Sequence, residues 1–190
     1  MDGADIEIIK KCLEGDDSAF EELVTRYKKM VFNTSYRMLG SYEEAEDASQ
    51  EAFIRMYRSL RKYDPQYKFS TWAVKITTNY CLDILRKRKG DTVPIEEQFN
   101  LKDESLTPEE EYVRHEKQQM VKKAVDSLPP KYKELIILFH NRGLSYSEIM
   151  EVTGESLTIV KNRLYRARQM LKDILKNMDK EGEKLWNAVK

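Results

Sequence analysis

Apolar positions recur along most of the chain at i, i+3, i+4 and i+7, the spacing of one face of an α-helix. Phe20, Leu23, Val24, Tyr27, Val31 and Ser35 share such a face on a helix that opens near residue 19 and stops at Gly40. A shorter helix over 6–13 ends at Gly15, and a third over 42–62 is halted by Asp64-Pro65, because proline disfavours helix in the residue before it. The fourth runs from Phe69 to Gly90 with Phe69, Trp72, Ala73, Ile76, Tyr80 and Ile84 as its apolar side. Residues 91–106 lose the period, are acidic and contain Pro94, as a linker does. The helical spacing returns at Pro108 and continues to about 126, breaks at Leu128-Pro129-Pro130, and resumes over 131–141, over 146–152 and from 157 onward.

Cap chemistry supports these starts. Ser or Thr followed three residues later by Glu occurs as Ser18/Glu21, Ser41/Glu44, Thr107/Glu110 and Ser145/Glu148, with Pro108 at a first helical position. In each, the hydroxyl can accept from an orphan N–H of the first turn while the Glu reaches back to the cap. The expectation is an all-α protein of two small helical domains. The first spans 1–90, an acidic linker 91–107, the second domain 108–176 and a C-terminal tail 177–190.

Composition narrows the function. Seven Gly and five Pro in 190 residues leave little room for turn-rich β architecture. No apolar run approaches the ~18 residues of a membrane span, and the acidic "MDGADIEIIKKCLEGDD" lacks the apolar core of an export signal, so a cytoplasmic protein without membrane insertion is expected. Cys12 and Cys81 then read as reduced thiols. The carboxylates Glu43, Glu44, Glu46, Asp47 and Glu51 have no histidine three residues on, so they do not form a helical metal set. No nucleophile–base pair or phosphate-binding glycine loop appears either, so neither an enzyme nor a cofactor is expected.

Formal net charge is zero, yet the charge is segregated. Residues 68–90 hold six bases against Asp83, a net of +5; residues 91–118 hold nine acids against three bases, a net of −6; residues 156–176 hold six bases against Asp173, again +5. Two basic segments flank an acidic one.

The second basic segment lies in "SYSEIMEVTGESLTIVKNRLYRARQML", residues 145–171, which has the layout of a helix-turn-helix: a short capped helix, a turn at Gly154 and a second helix. Leu157, Val160, Leu164, Ala167 and Leu171 form its inner side. In that geometry Lys161, Asn162, Tyr165 and Arg166 reach base edges, and Arg163 and Arg168 reach phosphates. The competing reading is a charged helix closing a bundle. In the first basic segment Lys75, Asn79, Leu82, Arg86 and Lys89 share one side, beside the Tyr67-Lys68-Phe69 loop. This suits single-stranded nucleic acid, with an aromatic loop to hold an unstacked base and bases to follow phosphate. A solvated, Lys/Arg-capped helix end fits those residues equally. Asp47, Gln50, Glu51, Arg55 and Arg58 make either a protein-docking face or a solvated one.

The quoted segments, with "AEDASQEAFIRMYRSL", "FSTWAVKITTNYCLDILRKRK" and "SLPPKYKELIIL" in the same order, make the chain resemble a bacterial RNA polymerase sigma factor of the extracytoplasmic-function (ECF) class. The resemblance implies a σ2 domain that docks on the clamp of the RNA polymerase core and melts the −10 promoter element. It also implies a σ4 domain that reads the −35 element and rests on the polymerase flap. By matching position it assigns Asp47, Gln50, Glu51, Phe53 and Arg55 to core binding. Lys68, Phe69 and Asn79 go to capture of a flipped base, Arg86 and Arg88 to the −10 strand, and Lys161, Asn162, Tyr165 and Arg166 to −35 readout. Val74, Lys75, Met150, Glu155 and Thr158 depart from the family pattern. The partners implied are core polymerase and promoter DNA, with an anti-sigma factor as a further candidate. A helix-turn-helix regulator acting alone on palindromic sites, and a helical adaptor without a DNA role, are the rival functions.

Overall fold

The computed structural model describes residues 3–88 and 108–178, with side chains from residue 4 and, in the second stretch, from residue 116. The acidic linker, the Thr107 cap and nearly all of the tail lie outside the described residues. Every regular element among those described is helical. Contacts divide the chain into two compact units, one of residues 1–96 with 144–156 and the other of residues 97–143 with 157–190. The sequence suggested a break at the linker alone; in the contacts, the segment 144–156 groups with the first unit, because its helix packs on that unit's fourth helix.

The first unit begins with α1 (Gly3–Leu13), α2 (Asp17–Leu39) and α3 (Tyr42–Ser59). The expected Ser18/Glu21 box is not the cap of α2: Asp16 is, its Oδ1 accepting from the Ser18 and Ala19 N–H groups at 3.1 and 3.3 Å. An aspartate two residues earlier presents an ionised acceptor to orphan donors of the first turn. Gly40 closes α2 with φ +83°, the left-handed conformation that favours glycine, and its N–H donates to Tyr36 O at 2.8 Å. Ser41 then caps α3 by accepting from the Glu44 N–H at 3.4 Å. Small residues Ala45, Ala48, Ser49 and Ala52 line the buried side of α3, which lets its backbone approach α2 closely.

After a 3-10 turn (Leu60–Lys62), α4 (Phe69–Lys87) closes the core. Ile9, Leu23, Met56, Leu60 and Phe69 meet there. The buried face of α4 is rotated from the expected one. Thr71, Val74, Thr77, Thr78, Cys81 and Leu82 are buried, while Trp72, Ile76, Tyr80 and Ile84 are half-buried. The threonines can enter the core because Thr77 and Thr78 donate to Ala73 O and Val74 O at 2.7 and 2.8 Å, leaving no orphan hydroxyl. Leu82, expected on the DNA side, therefore faces the core. Helix α7 (Tyr146–Thr153) completes the unit, with Ile149 and Val152 buried and a full Ser145/Glu148 capping box.

The second unit holds α5 (Pro108–Asp126), α6 (Pro130–Ile136) and α8 (Leu157–Met178). Pro130 opens α6 at a first helical position, where its missing N–H costs nothing. Lys133 Nζ meets Asp126 Oδ1 at 2.6 Å, tying α6 to the end of α5. α6 runs on as a π-turn (Ile137–Asn141), and the six residues 133–138 are all buried. Val160, Leu164, Ala167, Leu171 and Leu175 form the buried stripe of α8, which packs on α6 and α5.

Candidate nucleic-acid interface

Three surfaces carry the residues singled out in the sequence. On α3, Asp47, Gln50 and Arg55 are exposed and Glu51 is half-buried. The Arg55 Nε donates to Glu51 Oε1 at 2.8 Å, and its guanidinium lies 4.2 Å from the centre of the Tyr80 ring. This places Arg55 across the α3–α4 seam in a fixed pose. Phe53 is half-buried against the core.

The second surface is the loop before α4 and that helix's start. Asp64 Oδ1 accepts from the Gln66 N–H at 2.9 Å, and the Tyr63 hydroxyl donates to Tyr67 O at 2.6 Å, so the loop is internally tied. Burial pushes the Tyr63 hydroxyl pKa up, favouring its donor form. Behind the loop is a cavity of about 260 Å³ lined by Asp5, Tyr27, Tyr63, Tyr67, Lys68 and Phe69, among others. Asp5 is buried; its carboxylate accepts from Arg26 Nη1 at 2.5 Å and from the Tyr27 hydroxyl. Phe69 is 2% exposed and touches the rings of Tyr27, Tyr63 and Trp72. It is a core residue whose edge reaches the cavity wall. Lys68 is exposed, and its Nζ meets Glu148 Oε1 of α7 at 3.1 Å. Asn79 is exposed and Lys75 half-buried.

The basic end of α4 splits in two. Arg86 is well exposed and pairs loosely with Asp83 at 3.1 Å. Arg88, expected to follow the DNA strand, turns inward instead: its guanidinium pairs with Glu44 and donates to Leu39 O at 3.3 Å. Burial lowers its pKa accordingly. A helix C-terminus beside the α2–α3 corner gives the arginine two acceptors in reach, and packing takes it.

The third surface is α8. Lys161, Asn162, Tyr165 and Arg166 are exposed, Tyr165 at 65%. Arg163 and Arg168 are half-buried, and the Arg168 guanidinium lies 5.1 Å from the centre of the Phe139 ring on the π-turn. Leu157, expected on the inner side, is 40% exposed. Sequence reading missed Glu44, Glu148 and Asp5 as partners. Asp5 alone left a signal, an acid on the same α1 side as the buried Ile8 and Ile9. Among the described residues, no group of three or more His, Cys, Asp or Glu could hold a metal ion, and no helix is long and apolar enough to cross a membrane.

Comparison with known proteins places names beside these surfaces. The Sigma-70 region 2 family model matches residues 23–90, covering the α3 and α4 surfaces. The model for Sigma-70, region 4 matches residues 118–171, covering α8 through Leu171. The chain is 35% identical over 179 residues to the ECF RNA polymerase sigma factor SigW of Bacillus subtilis, spanning 90% of this chain and 96% of that one. It is 32% identical over 173 residues to the ECF RNA polymerase sigma-E factor of Escherichia coli K12, spanning 86% and 90%. In fold it is similar to CnrH, solved in complex with the cytosolic domain of CnrY, with a TM-score of 0.66 at 23% identity over 90% of this chain and 97% of that one.

Proposed function

Because this chain belongs to the ECF class of the sigma-70 family, and so directs promoter-dependent initiation by RNA polymerase rather than catalysing a reaction, we propose that its three surfaces divide that task by residue. The stripe Asp47, Gln50, Glu51 and Arg55, supported by Phe53, docks on the polymerase clamp. The loop and start of α4 take the melted −10 strand: a base leaves the stack and enters the cavity behind Tyr63 and Tyr67, Asn79 offers donor and acceptor, and Lys68, Lys75 and Arg86 meet phosphates. Unstacking a base costs a few kcal/mol, which stacking and hydrogen bonds in a pocket offset. Arg88 serves this surface indirectly, by fixing the end of α4.

On α8, Lys161, Asn162, Tyr165 and Arg166 read −35 base edges from the major groove while Arg163 and Arg168 hold the backbone; this unit rests on the flap. Neutral net charge keeps the isolated protein a weak DNA binder. The protein acts in the cytoplasm, and the shared fold with the sigma factor RpoE of Bartonella quintana, solved in complex with the anti-sigma factor NepR, supports an anti-sigma protein as a further partner.

The observation that carries this reading is the exposure of basic and amide groups on two separate helices within the two family matches: Asn79 and Arg86 on α4, and Lys161, Asn162 and Arg166 on α8. The test is transcription with purified core polymerase over a promoter library, with footprinting and permanganate probing of unpaired thymines. Asn79→Ala should keep the −35 footprint and lose −10 reactivity on duplex templates. Sequence-specific duplex binding by the protein without polymerase would overturn the assignment.

A further inference from the structure

Within the first unit α7 packs on α4, and it brings acids onto the bases of the strand-capture surface. Glu148 accepts from Lys68 Nζ at 3.1 Å. Glu151, nearly one turn on, adds a second half-buried carboxylate to α7, and burial disfavours its charged form while Lys75 favours it. The two members of the Lys68–Glu148 pair are held very differently. The Glu148 side chain is 23% exposed, and it is fixed by its own helix, accepting from the Ser145 N–H at 3.0 Å and the Ser145 hydroxyl at 2.8 Å. The Lys68 side chain is 63% exposed and has a long flexible stem. A rigid carboxylate facing a mobile ammonium is an arrangement in which the ammonium can exchange one anion for another.

We infer that α7 is an internal stand-in for the promoter strand: Glu148 holds Lys68 in the isolated protein, Glu151 adds negative charge on the same helix, and a single-stranded −10 element must displace these acids to bind. The inference rests on the strand-capture reading of α4. A carboxylate offers an ammonium the same charge-assisted acceptor as a phosphate oxygen, and an ion pair this exposed is weak enough to yield. A nucleic-acid strand brings several phosphates and the entropy of counterion release, which two carboxylates cannot match once the strand is held nearby by polymerase. The acids therefore suppress binding of stray single strands without opposing a promoter already engaged.

The test uses the full chain and a fluorescein-labelled non-template-strand oligonucleotide from a promoter that the holoenzyme transcribes. Glu148→Gln with Glu151→Gln keeps the capping chemistry, since Gln serves at that position of a capping box. At low salt the double variant should bind the oligonucleotide about fivefold more tightly than the parent, as when the competent fraction rises from roughly a fifth toward one. The gain should fade at ~0.5 M salt, where the Debye length is only a few ångströms. Glu21→Gln with Glu46→Gln, an equal charge change on exposed positions of α2 and α3, should give no comparable gain. Holoenzyme transcription should be unchanged by either pair. An unchanged affinity in the α7 variant, or an equal gain in the control, overturns the inference. Failure of the underlying reading looks different: Lys68→Ala with Lys75→Ala would then leave holoenzyme opening intact.

Discussion

α4 and α8 carry the two basic segments of the chain and use them in opposite ways. α4 is embedded among α2, α3 and α7, so even its threonines are buried, and its charged groups are engaged at the ends: Lys68 with Glu148, Arg86 with Asp83, Arg88 with Glu44. α8 instead buries a single stripe and leaves Lys161, Asn162, Tyr165 and Arg166 exposed together along its first half. Under the proposed function, similar net charge supports two kinds of recognition. A helix that presents one open face can enter a groove as a rod. A helix buried on most sides can only display a rim and a pocket, which suits a strand already separated from its partner.

The strongest way to break this contrast is through the aromatic cluster under the rim. Phe69→Ala removes a buried ring that touches three others and should cost about 3–5 kcal/mol of stability. Thermal denaturation measures it, and core binding and strand opening should fall together. Opening lost at unchanged stability would instead make Phe69 a direct base contact.

Arg88→Ala comes next. It leaves Glu44 and the Leu39 carbonyl without their donor and should destabilise by about 1–3 kcal/mol in a denaturant titration. The −10 strand affinity per folded molecule should change little. A large loss of strand affinity at full stability would return Arg88 to the DNA surface.

On the rod-like helix the same probe should read differently. Lys161→Ala or Arg166→Ala should leave the melting temperature unchanged and remove ~1–3 kcal/mol of discrimination at individual −35 base pairs. Arg168→Ala, which also gives up the Phe139 contact, should lower stability by about 0.5–1 kcal/mol and weaken binding evenly across sequences. Footprinting over −35 variants separates these outcomes.

The smallest effect belongs to Thr77→Val. The hydroxyl bonds only its own helix, at Ala73 O, so losing it together with its donor should shift stability by no more than about 1 kcal/mol. A larger loss in calorimetry would mean that the threonine shapes the packing of α4.

The sequence made the helices and their order legible because caps and 3.6-residue periodicity are local signals. Ser145 makes the full expected box and Ser41 its hydroxyl half, Glu44 being paired with Arg88 instead, and Gly40 and Gly154 stop their helices. Even there, neighbouring candidates compete, and Asp16 displaced Ser18 at the start of α2. Exposure along α8 was readable because one buried stripe determines the rest. α4 was harder. Buried Thr77 and Thr78 look polar on a helical wheel, and their suitability for the core appears only once the i−4 carbonyls are counted as partners. Arg88 with Glu44 and Lys68 with Glu148 were not legible at all. Their partners lie far away in the chain, and no periodicity links one charge to another across that distance.

The discontinuous make-up of the first unit has a consequence for synthesis on the ribosome. Its last piece, residues 144–156, follows 47 residues after position 96. At roughly 5–20 residues per second, the helices already made wait about 3–12 s for position 156 to be added. During that interval a nascent chain shows Lys68 and Lys75 without Glu148 and Glu151, so each new molecule passes through a brief unshielded period before its own later-made helix arrives.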